Sequence, residues 1–376
     1  MSSPNVRFAH AFKQGNDNYL FMQRLGSGSN NEAQLVKHVQ TGEVVVRKVS
    51  SRRLTPEEAS KPDNEITMRK YLSQAGPVEG SQPRLAQLIS YSDIPVRTES
   101  PKLSRVSYWK FYNGGDLYSL TKFYRFKVPL TLVARYIHQI MDSLNYMHKA
   151  GVVHGDLNSG NIWLHWEDDQ DEGNVMPDFY LGDFGQSFIA ADQETDKSPP
   201  RNTSYSSSAM LLDPEVGWDV PSVIFHANKM ISGYGWGRNY PWETVLRMLG
   251  PLGPVFQELR RLEEEVEMCQ HEPVAAIPDL TNIVKMARDA EEALSKEELI
   301  DYTRLIERKT RCQSKATAGP LYHLTLTRAL NTTWVFGPWF IATVNPITQQ
   351  VISIHYTPHH RPNAADANSD SDPSGL

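Results

Sequence analysis

Between Val152 and Leu164 the chain reads VVHGDLNSGNIWL, a polar loop with an acid and an amide between two apolar runs. Asp156 and Asn161 lie five residues apart, a distance at which one loop can aim a carboxylate at a hydroxyl proton and an amide oxygen at a cation. Downstream, LGDFGQS offers a second acid, Asp183, between an apolar run and a glycine. Two acids and an amide that share a site would supply hard oxygen donors of the kind magnesium takes, so the pattern suggests phosphate and metal chemistry.

These residues need elements to hold them, and the hydrophobic pattern changes character along the chain. From Asn18 to Tyr112 the runs YLFMQRL, AQLVKHV and EVVVRKV, with Thr41-Gly42 between the last two, have the alternation and β-branching of an antiparallel meander. One helix interrupts it: DNEITMRKYLSQA follows Pro62 and stops before Gly76, with Ile66, Met68, Tyr71 and Leu72 as expected buried positions. From Gly114 to Arg308 the pattern is mostly helical. TLVARYIHQIMDSLNYMHKAG is its clearest stretch, with Val133, Ile137, Ile140, Leu144 and Met147 at helical spacing and Gly151 as a C-cap. Residues 326–357 read as strands, and NAADANSDSDPSGL as a polar, disordered tail.

In their order, these motifs resemble the eukaryotic protein kinase family, whose catalytic loop is H-R-D-L-x-x-x-x-N and whose metal-binding acid sits in D-F-G. LGSGSNNEA matches the glycine-rich loop at Gly26 and Gly28, with Asn31 in place of the third glycine and Ala33 in place of valine. In isolation GSGSN is also the composition of a surface turn. In VVVRKV, Arg47 and Lys48 compete for the place of the phosphate-binding strand lysine. Alternation puts them on opposite faces, and Lys48 is chosen, with Glu65 as its helix partner 17 residues on. WKFYNGGDL resembles the hinge, where backbone groups of Lys110 to Tyr112 would bind adenine behind a Trp109 gatekeeper. Asp213-Pro214-Glu215 stands at the A-P-E position, Ser208 where serine/threonine kinases keep a threonine, and DVPSVIFHANKMISG matches the following helix from Asp219.

The resemblance implies an α+β, two-lobed protein-kinase-like fold: a β-rich N-lobe with one main helix over 15–112, a mainly helical C-lobe over 113–310, and an atypical extension over 311–376. It implies ATP and Mg2+ as cofactors, with Lys48, held by Glu65, on the phosphates, Asn161 and Asp183 on the metal, and Asp156 as acceptor of the attacking hydroxyl's proton. The expected activity is transfer of the γ-phosphate to serine or threonine of a protein substrate. Several positions depart from the family. Gly155 replaces the arginine that answers an activation-loop phosphate, so that phosphate is expected to be dispensable. Asn158 replaces a lysine or alanine, and Arg69 an apolar residue of the spine that runs through His154 and Phe184. Two alternatives remain: a pseudokinase that binds nucleotide with little turnover, motivated by these departures, and a small-molecule phosphotransferase of the aminoglycoside or choline type, whose H-G-D-L-H-x-G-N loop HGDLNSGN also resembles.

Composition narrows the classes further. Among 376 residues, 38 Lys+Arg against 44 Asp+Glu give a net charge of −6, which offers no electrostatic footprint for nucleic acid. The two cysteines, Cys269 and Cys312, make neither a disulfide framework nor a zinc site. No apolar run approaches the roughly 20 residues that span a bilayer, and MSSPNVRFAHAFKQG has no signal-peptide core. The expectation is an intracellular protein, cytoplasmic or nuclear, without membrane or nucleic-acid partners.

Overall fold

The computed structural model describes residues 11–14, 17–27, 31–76, 78–96, 102–166, 176–189, 219–268, 279–297, 305–309, 332–336, 340–344 and 351–356. The chain divides into two compact units: residues 1–54, 90–111 and 318–376 form one, and residues 55–89 and 112–317 the other.

The first unit is built on a six-stranded sheet of order β1-β2-β3-β4-β6-β5. Its strands are β1 (Ala11–Gln14), β2 (Asp17–Ser27), β3 (Asn31–His38), β4 (Val44–Ser50), β5 (Leu88–Val96) and β6 (Lys102–Lys110). The expected Thr41-Gly42 turn joins β3 to β4. There Gly42 takes a φ of 76°, a left-handed conformation that glycine adopts without steric cost. One face of the sheet buries Tyr19, Val36, Val45, Val106 and Tyr108, with the Tyr19 and Tyr108 rings stacked at 4.4 Å. Arg47 shares the burial of Val45 and donates to Gln34 Oε1 at 2.8 Å. Lys48 points the other way, because successive strand residues alternate faces. Strands also form within 326–357: β11 (Thr332–Phe336), β12 (Phe340–Val344) and β13 (Val351–Tyr356) make a three-stranded antiparallel sheet.

The second unit contains α1 (Pro56–Ser60), α2 (Asn64–Gln74), α3 (Leu117–Phe123) and α4 (Leu130–Lys149). Short strands follow: β7 (Val152–Val153), β8 (Ile162–His165), β9 (Asp178–Leu181) and β10 (Phe188–Ile189). It is completed by α5 (Asp219–Ile231), α6 (Trp236–Asn239), α7 (Trp242–Met248), α8 (Leu252–Met268) and α9 (Thr281–Glu297). Helix α2 starts where Asp63 accepts a hydrogen bond from Ile66 N, and buries Ile66, Met68 and Leu72. Tyr71, expected inside, is 40% exposed: its hydroxyl donates to Ala150 O at 3.2 Å, a polar tip that draws the ring to the surface.

Helix α4 is the axis of this unit. Val133, Ile137, Ile140, Leu144 and Met147 are all completely buried, as their spacing predicts, each contributing about 1.5–3 kcal/mol relative to exposure. Gly151 closes the helix at φ 74°, its N–H on His148 O. On one side α4 holds β9: Arg135 and Gln139 donate to Asp178 Oδ1 at 2.6 and 2.7 Å. Burial alone would raise the Asp178 carboxyl, but Arg135 and Arg84 hold it below the usual carboxylate range. On the other side, Tyr136 meets His226 Nδ1 of α5 at 3.2 Å.

Burial, reinforced by the Lys229 charge, lowers the His226 pKa from 6.5 to about 4. A folded-state pKa below the unfolded one adds stability above the unfolded value and loses it as pH falls towards the folded value. Acidification from pH ~7 to ~4 should therefore cost about 3 kcal/mol through this group alone. His226→Gln keeps an acceptor for Tyr136, and urea midpoints across that range should fall less steeply in the variant by that amount.

Candidate active site

The polar loop predicted from sequence lies between β7 and β8, and the second acid follows β9. The β8–β9 hairpin pairs Ile162 with Leu181, and Gly182 N donates to Asn161 O at 2.9 Å. The loop residue Asn161 and the position before Asp183 are thereby fixed backbone to backbone. Asp183 itself adopts φ 62°, ψ 76°, the left-handed region, and accepts from Gly185 N at 3.3 Å. That conformation is sparsely populated for residues with a side chain and clusters at functional sites.

Asp156 is held by both neighbouring amides. Asn158 Nδ2 donates to Oδ1 and Asn161 Nδ2 to Oδ2, each at 3.1 Å, and Asn161 Nδ2 also reaches Asp156 O at 2.9 Å. Burial pushes the Asp156 carboxyl up and the Asp183 charge adds to it, so its pKa stays above the ordinary carboxylate value despite the two amide donors. A carboxylate so oriented and so shifted can accept a hydroxyl proton.

Beneath the loop, completely buried His154 accepts from Asp156 N at Nδ1, 3.3 Å, and meets Gly182 O through Nε2 at 3.0 Å. Nδ1 is the acceptor, so the neutral ring carries its proton on Nε2 and donates it to the carbonyl next to Asp183. His154 also packs edge-on against the Phe184 ring at 5.6 Å. Asp219, at the start of α5, takes the loop's backbone: His154 N reaches Oδ2 at 2.9 Å and Gly155 N reaches Oδ1 at 3.1 Å, with His148 Nε2 3.2 Å from Oδ2. Burial opposes this carboxylate, but the His148 ring and the hydrogen bond from the His154 backbone N–H hold it below the usual range.

In the sheet unit, cross-strand partners place Gly26 opposite Ala33, Ala33 opposite Lys48, and Lys48 opposite Ser107. Directly opposed residues share a face, so Gly26, Ala33 and Lys48 come together on the side away from Arg47. The Lys48 ammonium sits over the Trp109 ring, 5.0 Å from its centroid, and Trp109 is buried with its indole N–H on Ser107 Oγ at 2.8 Å. Lys110 ends β6, paired with Val45. Gly28, Ser208 and Asp213 to Glu215 lie outside the described residues. Glu65, in the first turn of α2, is buried in the helical unit, as is Tyr112, whose hydroxyl accepts from Gln87 N at 3.1 Å.

Three supports were not read from the sequence. A Cβ on Gly182 would run into the Trp163 ring, which itself stacks on Tyr112 at 5.7 Å. The turn at Gly114 lies against β8, with Gly114 N on Leu164 O at 2.7 Å. From a helical turn over 305–309, buried Arg308 donates to Gly114 O at 2.8 Å and to Ser119 Oγ at 3.0 Å. The third support is Asn64, whose amide reaches the segment following Asp183.

Comparison with known proteins decides what these parts amount to. The protein kinase domain family matches residues 19–217, more than half of the chain. The chain belongs to the protein kinase family. Similar curated proteins are the hormonally up-regulated neu tumor-associated kinase of Homo sapiens, 33% identical over 178 residues, and its Xenopus tropicalis homolog, 32% over 186. The serine/threonine-protein kinase grp of Drosophila melanogaster is 25% identical over 171 residues. These matches cover 46% to 49% of this chain and only 22% to 28% of those proteins, so the chain spans about a quarter of their length. Among solved structures, the BubR1 kinase domain aligns with a TM-score of 0.53 and 15% identity, over 84% of this chain and 90% of that one. The β-sheet unit and the helical unit are thus those of a two-lobed kinase fold.

Within the kinase domain the departures acquire structural reasons. Gly155 has φ 75°, and a Cβ there would stand 2.8 Å from Gln186 O: the carbonyl of the segment after Asp183 packs where a side chain would begin. Asn158 spends its amide on Asp156. Arg69 takes a polar partner. Its Nε donates to Ala86 O, while neighbouring Met68 is the buried apolar residue of that turn.

Proposed function

We propose that the chain is an ATP- and magnesium-dependent protein kinase acting on serine or threonine, and that it works inside the cell. The observation that carries the reading is the Asp156 carboxylate held at both oxygens by amides, beside a loop-bound Asn161 and an Asp183 held in the left-handed region. Acceptor class rests on the similar proteins named as serine/threonine kinases.

The donor set fits magnesium. Both Asp156 oxygens are acceptors, so Asn161 must turn its NH2 towards them, and its amide oxygen then lies on the opposite side of the group. With an Asp183 carboxylate oxygen it would hold the ion, which completes its shell from phosphate oxygens and water. When bound, the metal supplies neutralisation of phosphate charge. The chain's own residues would do the rest: Lys48 would orient the α- and β-phosphates, backbone at Gly26 and Ala33 would cover them, and Lys110 to Tyr112 would offer backbone groups to adenine. Asp156 orients the hydroxyl and takes its proton. Among the described residues no helix is long and apolar enough to cross a membrane.

Labelled γ-phosphate should pass from ATP to the protein itself or to generic serine/threonine substrates, and transfer should fall to background when magnesium is chelated. Binding of ATP without transfer would instead favour the pseudokinase reading, for which Asn158 is the specific motive: the position holds an amide bonded to Asp156 and no cation to meet the transferred phosphoryl group. Transfer to amino alcohols in place of peptides would favour the small-molecule reading.

A further inference from the structure

Asn64 is the first residue of α2 and directly precedes Glu65, yet its amide is engaged 120 residues away. Nδ2 lies 2.8 Å from Ser187 O, 2.9 Å from Gly185 O and 3.4 Å from Phe184 O. An NH2 group has two hydrogens, so the two short contacts take them and the third carbonyl stands alongside. These carbonyls belong to the turn that follows Asp183, the residue in the left-handed conformation. Other contacts hold the same segment to the catalytic loop: Ser187 Oγ donates to His154 O at 3.0 Å, β10 pairs with β7, and Gln186 O packs on Gly155. Each of those is made from the loop side; Asn64 alone among these contacts reaches the turn from α2.

We infer that Asn64 is a positioning residue: its side-chain amide fastens the Asp183 turn to the first turn of α2, so that the metal-binding acid and Glu65 are set together. The inference rests on the kinase reading for its consequence, but not for its geometry. Asp63 already caps α2 at Ile66 N, so Asn64 is not needed to start the helix. This separates the two roles experimentally. Asn64→Asp keeps the shape and places a carboxylate at a helix N-terminus, where negative charge is favourable, but turns acceptors on acceptors at Phe184, Gly185 and Ser187.

The experiment uses the full chain, as wild type, Asn64→Asp and Asn64→Ala, with two readouts. In hydrogen exchange, amides of residues 184–189 should exchange about 10-fold faster in both variants, with α2 and α4 unchanged. In ATP binding titrated with magnesium, the concentration for half-maximal binding should rise about 5-fold, while binding at saturating magnesium is retained. Unchanged exchange over 184–189 would overturn the inference. Faster exchange with an unshifted magnesium requirement would also overturn it, reducing Asn64 to a staple without bearing on Asp183. Absence of ATP binding by the wild type would fail the kinase reading, and the exchange result would then decide the geometry by itself.

Discussion

Asp156→Asn should reduce phosphoryl transfer by about 10²–10⁴-fold while leaving the KM for ATP nearly unchanged, because a positioned general base contributes on that scale. The substitution removes the proton acceptor and creates a local conflict. Asn158 and Asn161 each present an NH2 to one Asp156 oxygen, and an asparagine can offer an acceptor to only one of them. One donor must turn away; where it is Asn161, the oxygen proposed for magnesium moves with it and the loss should include a higher magnesium requirement, and where it is Asn158 that requirement should hold. Rate measurements at saturating ATP over a magnesium series separate the two effects. The wild type carries a further signature: burial and the Asp183 charge raise the Asp156 pKa, and the base works only when deprotonated. The acid limb of its kcat/KM profile should therefore lie above the ordinary aspartate value and vanish in the variant. Transfer that survives in Asp156→Asn would remove this residue from the mechanism.

Gly155→Arg restores the residue usual in the family, and it should make the protein worse. The backbone at 155 has φ 75°, which costs a side-chain-bearing residue about 1–3 kcal/mol, and the new Cβ would stand 2.8 Å from Gln186 O and 3.5 Å from the Phe188 ring. Relief requires the 186–188 segment to move, which breaks its hold on His154 and Asn64. Urea unfolding should show that loss of stability, and transfer should decline with it. Gly155→Ala carries the same Cβ without the guanidinium, so an equal loss in both variants assigns the cause to the backbone. A gain in activity for the arginine variant would show that the segment tolerates displacement and that charge at this position matters more.

Much of this was legible in the chain because it is local. Alternation in VVVRKV separates Lys48 from Arg47, and the β3–β4–β6 register places them on opposite faces as the period of two requires. Periodicity from Val133 to Met147 describes α4 almost residue by residue. The loop spacing of Asp156 and Asn161 brings carboxylate and amide to hydrogen-bonding distance. What could not be read depends on contacts between distant segments. Nothing in NEITMRKYL says that Asn64 meets Ser187, and Arg308 has no local pattern that points to Gly114. Tyr71 fits a buried helical stripe by spacing, but its hydroxyl finds a carbonyl at the surface. That Asn158 stands where the family has lysine or alanine is visible in the sequence; only its geometry shows that it grips Asp156.

The Trp163 ring over Gly182 binds two positions into a shared history. While the tryptophan is present, the residue before Asp183 cannot acquire even a methyl group without displacing an aromatic ring that also rests on Tyr112. A lineage leaving this arrangement must therefore shrink position 163 before it enlarges position 182, and a lineage entering it must take the reverse path. A side chain larger than hydrogen at position 182 therefore excludes tryptophan at position 163, and with it this floor beside Asp183.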